Sequence, residues 1–163
     1  MQQPSWCGVP RIRQWMVVVW LALGLIVSAA GVAHAQQTIN PTGGTDATNG
    51  LRIVIQPNTA FQIYRNNAKQ LFRSNGDGLD LAVGTAVTGT NVSGAAAWTT
   101  VAQTAVTGAG TAVAPWQVTT TVRTTTNFVV AMTIRYVLPD DTLDLQVVIT
   151  PPAGNAEQVK YYH

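Results

Sequence analysis

Cysteine is nearly missing from this chain: 163 residues contain one, Cys7. A single thiol builds neither a disulfide framework nor a cysteine metal site. Histidine is almost as scarce, with His34 and His163 alone. A Ser-His-Asp or Cys-His device needs its base held in a fixed position, and His163 is the last residue. A zinc site built on imidazoles is disfavoured for the same reason. No phosphate-cradling loop is present either. "GTAVTGTNVSG" (84–94) has the glycines but no following lysine. The chain is therefore expected not to be an enzyme. Charge is sparse as well: from Leu81 to Val122, 42 consecutive positions carry none.

The charge that is present is unevenly placed. Residues 1–15 hold Arg11 and Arg13 and no acid. "MVVVWLALGLIVSAAGVA" (16–33) has no charge and one polar residue, Ser28. Ala33-His34-Ala35 then precedes "QQTIN". A basic region, an apolar region and small residues at −3 and −1 are the layout of a secretory signal peptide. The expectation is a signal peptide over 1–35, with a retained membrane anchor as the rival, since eighteen apolar residues approach the length of a span. Export to the periplasm, the cell surface or the medium of a bacterium follows from the first reading, with no membrane contact after cleavage. Cys7 lies ahead of the apolar region, so it cannot be a lipidated cysteine at the cleavage point.

Removing the leader changes the balance. Residues 36–163 carry seven bases and seven acids, so the basic character of the whole chain belongs partly to the leader. Without a basic field there is nothing to draw nucleic acid. The 128 residues suit one domain able to bury a core without staples. Residues 36–50, "QQTINPTGGTDATNG", are almost free of apolar side chains and read as a flexible lead-in.

Beyond residue 50 the pattern is that of sheets. "LRIVI" (51–55), "AFQIYR" (60–65), "KQLFR" (69–73) and "LDLAV" (79–83) are short, with turn residues between them, and are expected to form a meander. "AWTTVAQTAV" (97–106) is expected as a strand between Gly-rich loops at 84–94 and 108–110. The clearest signal comes last. "WQVTTTVR" (116–123), "NFVVAMTIRYVL" (127–138) and "TLDLQVVIT" (142–150) each place apolar residues on every second position. Period two is what a sheet with one dry face requires. "PDD" (139–141) joins the last two as a hairpin, and Pro151-Pro152 end the run. "EQVKYYH" reads as a final strand; a chain cut within its domain at His163 is the alternative. The fold expected over 51–163 is all-β, an antiparallel β-sandwich of immunoglobulin-like or jelly-roll-like kind.

Few residues are candidates for a site. "SNGDGLD" gathers Asn75, Asp77 and Asp80, oxygen donors of the kind calcium prefers, around two glycines. Asn-Gly and Asp-Gly are also what a tight hairpin turn demands. Asp140, Asp141 and Asp144 pose the same choice. Aromatic faces stack sugar rings; Trp116 and Tyr136 fall on inward faces, so Trp98 is the candidate for stacking a ligand. "NVS" (91–93) is a glycosylation sequon only in a eukaryotic secretory pathway. "TTTVRTTT" (119–126) alternates threonines, which suits a plain strand better than an ice-binding array.

"YVLPDDTLDLQVVITPPAGNAEQVKYYH" (136–163) resembles the sandwich modules of bacterial extracellular proteins, in which an acidic turn joins two long strands. The ending, with Tyr162 one before last, also resembles pilin subunits of the chaperone-assembled type, but the cysteine pair usual in those subunits is missing. The expectation is a secreted or surface module that binds a carbohydrate or another surface protein, or serves as structure. The alternative is an assembly subunit that self-associates by strand addition.

Overall fold

The computed structural model of the chain describes residues 34–71, 76–90 and 97–162. The expected signal peptide lies almost wholly outside the described residues, as do Asn75 and the sequon at 91–93. Among the described residues the fold is all-β, an antiparallel sandwich built from three sheets. The first sheet runs in chain order: β1 (Gln37–Ile39), β2 (Arg52–Ile55), β3 (Phe61–Arg65) and β4 (Ala68–Lys69). A second small sheet holds β5 (Asp80–Val83), β6 (Ala86–Gly89) and the last strand, β11 (Val159–Tyr162), with β5 in the middle. The main sheet is β7 (Thr99–Gln103), β8 (Trp116–Arg123), β9 (Val129–Tyr136) and β10 (Asp144–Thr150), again in chain order.

The three long strands are where the period-two pattern placed them. Val118, Thr120 and Val122 of β8 are buried, as are Val130, Met132, Ile134 and Tyr136 of β9. The residues between them point to the other face. One hydrophobic cluster draws on all three sheets: Ile39, Ile53, Ile55 and Phe61 from the first, Leu81 from the small sheet, and the β8 and β9 residues from the main one. Burying each large apolar side chain is worth about 1.5–3 kcal/mol, so this shared cluster is what holds the sheets together. The hairpin expected at 139–141 joins β9 to β10 in continuous antiparallel register, and its Leu138–Pro139 peptide is cis. Asn66 and Asn67 both take positive φ, the conformation a two-residue β3–β4 turn requires.

Four expectations about the fold are corrected. Residues 36–50 are not a flexible lead-in: they contain β1, whose Ile39 sits in the core, and a loop fixed by its own polar side chains. The Asn40 amide donates to the carbonyls of Asn49 and Leu51, each at 2.9 Å. The Asn49 side-chain oxygen, Oδ1, accepts from the backbone amides of Thr45 and Asp46 at 3.2 Å. The Asp46 carboxylate accepts from the hydroxyl and amide of Thr48 at 2.7 and 2.8 Å and from the amide of Asn49, which holds its pKa below the usual aspartate value. Side chains that looked too polar to fold supply the backbone's hydrogen bonds in place of a ladder.

The second correction concerns 79–83. It does not continue a meander with the strands before it; β5 pairs instead with β6 and with β11. The third is "KQLFR": the strand there is only Ala68–Lys69, and residues 72–73 lie outside the described ones. The Gly-rich stretch at 84–94, expected as loop, contains β6.

Tyr136 ties the loop at 40–50 to the main sheet. Its hydroxyl accepts from the Leu51 amide at 2.8 Å and donates to the Asp140 carbonyl at 2.9 Å. The ring is 1% exposed and stacks on Trp116, centroids 6.2 Å apart. Gly50 takes φ +68 beside it, and a Cβ there would come within 2.3 Å of the hydroxyl.

Candidate functional site

The residues singled out from the sequence do not gather into one site. Asp77 is held in a bridge to Phe61, exchanging backbone hydrogen bonds of 2.8 and 2.7 Å, and its carboxylate accepts from the Gly78 amide at 2.9 Å. Asp80 is buried within β5, facing Gly89 of β6. Asn75 is outside the described residues, so the proposed calcium trio is not seen together. No group of three or more His, Cys, Asp or Glu is placed to hold a metal among the described residues. At the other acidic turn, Asp141 pairs with Arg65 at the end of β3 at 3.0 Å, with both side chains exposed. Such a pair is worth at most about 1 kcal/mol.

Trp98 is corrected outright. It is 5% exposed, belongs to the core cluster, and donates from its indole N–H to the Thr88 hydroxyl at 3.0 Å. A stacking platform needs an open ring face, and this ring has none. Among the described residues the aromatic side chains most open to solvent are Tyr161 and Tyr162 on β11.

A cleft of ≈ 400 Å³ opens at the β2–β3 turn, lined by Gln56, Pro57, Asn58 and Ala60. Its carbonyls are already engaged, Pro57 by the Thr100 hydroxyl at 2.8 Å and Gln56 by the Gln103 amide at 3.2 Å. Thr59 within this turn has φ 76, costly for a β-branched residue, and is fully buried. The turn is thus locked onto the edge of the main sheet. A smaller cavity of ≈ 160 Å³ lies under the β9–β10 turn, with Arg135, Asp140 and Asp144 in its wall.

The outer face of the main sheet is an ordered surface. Register fixes its rows. Thr119 of β8 faces Thr133 of β9, which faces Gln146 of β10, and Thr104 flanks Thr119 through two backbone-directed bonds of 3.0 Å. The next row is Ala102, Thr121, Ala131 and Val148. Charges stand only toward the ends, at Arg123, Arg135 and Asp144. The middle is short-chained and uncharged. The Thr119 and Thr133 hydroxyls bond each other at 2.8 Å, so covering them leaves fewer unpaired groups to desolvate. The alternating threonines at 119–126 were visible in the sequence, but the field they belong to needs the pairing of four strands.

No family model, curated protein or solved structure matches this chain.

Proposed function

We propose that the chain is an exported, non-catalytic module that works by surface contact, with the outer face of β7–β10 as the contact surface and another protein as its partner. The observation that carries this reading is the field centred on Thr119, Thr121, Ala131 and Thr133: uncharged, short-chained and partly solvated, and continued by register onto β7 and β10. A protein is favoured over a carbohydrate because the rows of that face contain no aromatic ring, and Trp98 is committed to the core. Export is supported by the leader pattern, and cleavage after Ala35 leaves β1 intact from Gln37.

The test is retention. The full chain is expressed in a bacterial host, and the fraction of exported protein that stays with the washed envelope is measured. Thr121→Lys places a long charged side chain in the middle of the field and is expected to lower retention several-fold at an unchanged melting temperature. Val113→Lys, on a loop residue 96% exposed and outside the rows of the face, is expected to leave retention unchanged. Equal retention of the two variants defeats the assignment of the face.

A second reading, assembly by strand addition, is favoured by the edge of the same sheet.

A further inference from the structure

An outermost strand presents a row of unpaired N–H and C=O groups, and proteins blunt such edges with short strands, bulges, lysine or proline. Among the described residues most edges here are blunted. β1 has three residues and β4 two, ending on Lys69. β6 has four and ends at Gly89, while β11 has four and carries Lys160. β7 is broken by a register shift between Thr100 and Ala102.

Within its seven residues β10 has none of these devices; proline comes only after its end, at Pro151 and Pro152. It runs seven residues in unbroken register with β9, from Asp144 opposite Arg135 to Thr150 opposite Val129. Its one charge is the first residue. Its inner side chains, Leu145, Val147 and Ile149, pack on the core yet stay only half-buried, whereas Val130, Met132 and Ile134 on the neighbouring strand are sealed. On the outer side Val148 is 52% exposed. The apolar layer is therefore open along this edge, and one more strand would close it.

We infer that β10 pairs with β10 of a second copy of this chain, antiparallel about Val147, to give one continuous eight-stranded sheet. This deepens the reading of the chain as a contact module by naming a partner at the edge rather than the face. The strand is complementary to itself in this register. Val147 meets Val147, and Leu145 meets Ile149, on the shared inner face. Gln146 meets Val148 on the outer face. The only charge, Asp144, lies opposite Thr150, so no like charges oppose. Pro151 and Pro152 lack an N–H for the ladder and fall just beyond the partner's Asp144, which limits the ladder to the seven residues. A two-fold axis normal to the sheet keeps both dry faces on one side, as an isologous contact requires.

The experiment is sedimentation velocity on the protein recovered after expression of the full chain, with amide hydrogen exchange across 144–150. The wild type is expected as a dimer whose amides in 144–150 become protected as concentration rises. The double variant Q146K/V148K sets lysine against lysine twice and is expected to be monomeric, with the melting temperature that the wild type shows when diluted below its dissociation constant, since both positions face outward. The variant Q146K/V148E sets lysine against glutamate in the same register and is expected to restore the dimer. A monomeric wild type overturns the inference, as does a dimer indifferent to Q146K/V148K, or one with 144–150 unprotected. Failure of Q146K/V148E to restore the dimer overturns the register. None of these results touches the face assignment, which stands or falls on Thr121→Lys.

Discussion

Replacing Tyr136 by phenylalanine removes one oxygen and tests how the loop at 40–50 is held to the main sheet. That oxygen has two partners of different kinds. The Leu51 amide, which donates to it at 2.8 Å, is buried with its residue; the Asp140 carbonyl, which accepts from it at 2.9 Å, belongs to an exposed turn. Removing the hydroxyl lets water reach the carbonyl but strands the amide. A buried donor left without a partner costs about 1–3 kcal/mol. The ring itself, its stacking on Trp116 and its place in the core are kept. A net loss of about 2 kcal/mol is expected, which in a domain of this size lowers the melting temperature by roughly 8 °C. Urea unfolding should show the midpoint falling with an unchanged slope, since the surface exposed on unfolding is the same. The phenol adds a pH signature. Burial is the main cause that raises its pKa, aided by Asp140 and Asp141 and opposed by the Leu51 amide. A group whose folded pKa is raised contributes fully below its unfolded value, about pH 10. That contribution is lost as pH rises through the folded value, because the unfolded chain releases the proton first. Wild type should therefore lose more stability than Tyr136→Phe above pH 10, and the two melting curves should converge. A fall in melting temperature under about 2 °C at neutral pH, or parallel curves in alkali, would refute the reasoning.

Two further expectations use the same stability measurement. Gly50→Ala puts a side chain at φ +68, within 2.3 Å of the Tyr136 hydroxyl. It is expected to cost about 2–4 kcal/mol from backbone strain and the displaced hydrogen bonds; combined with Tyr136→Phe it should cost less than the sum, because the two share one oxygen. Trp98→Phe is expected to cost about 1–3 kcal/mol through lost volume and an unpaired Thr88 hydroxyl, whereas a change within about 0.5 kcal/mol, the usual size at a surface position, would return the indole to the surface as a ligand platform.

What could be read from the sequence was whatever depended on neighbours along the chain. β8, β9 and β10 declare themselves because seven or eight residues in alternation outweigh any local ambiguity, and the "PDD" turn fixes the pairing of β9 with β10. β1 did not declare itself: three residues with one buried isoleucine give no period to detect. Its order is conferred by β2 and by the amides of Asn40 and Asn49, which composition scores as disorder-prone. β5 is legible as a strand but its neighbours are not, since partner choice depends on residues far along the chain. Trp98 failed for a related reason: its setting among small polar residues says nothing of the Thr88 hydroxyl and the core that enclose it. The candidate face was half legible. The threonines of β8 are evident in order, but the rows they form with β7, β9 and β10 exist only once register is known.

The pairing of β5 with β11 joins positions about eighty residues apart, Asp80 with Tyr162 and Val83 with Val159. Contacts of such long range are slow to form, because the intervening chain must first be brought to order. Until β11 is formed, β5 and β6 have only each other to pair with and stand as a lone hairpin. An isolated two-stranded hairpin is marginal in water, so the small sheet gains its stability late in folding.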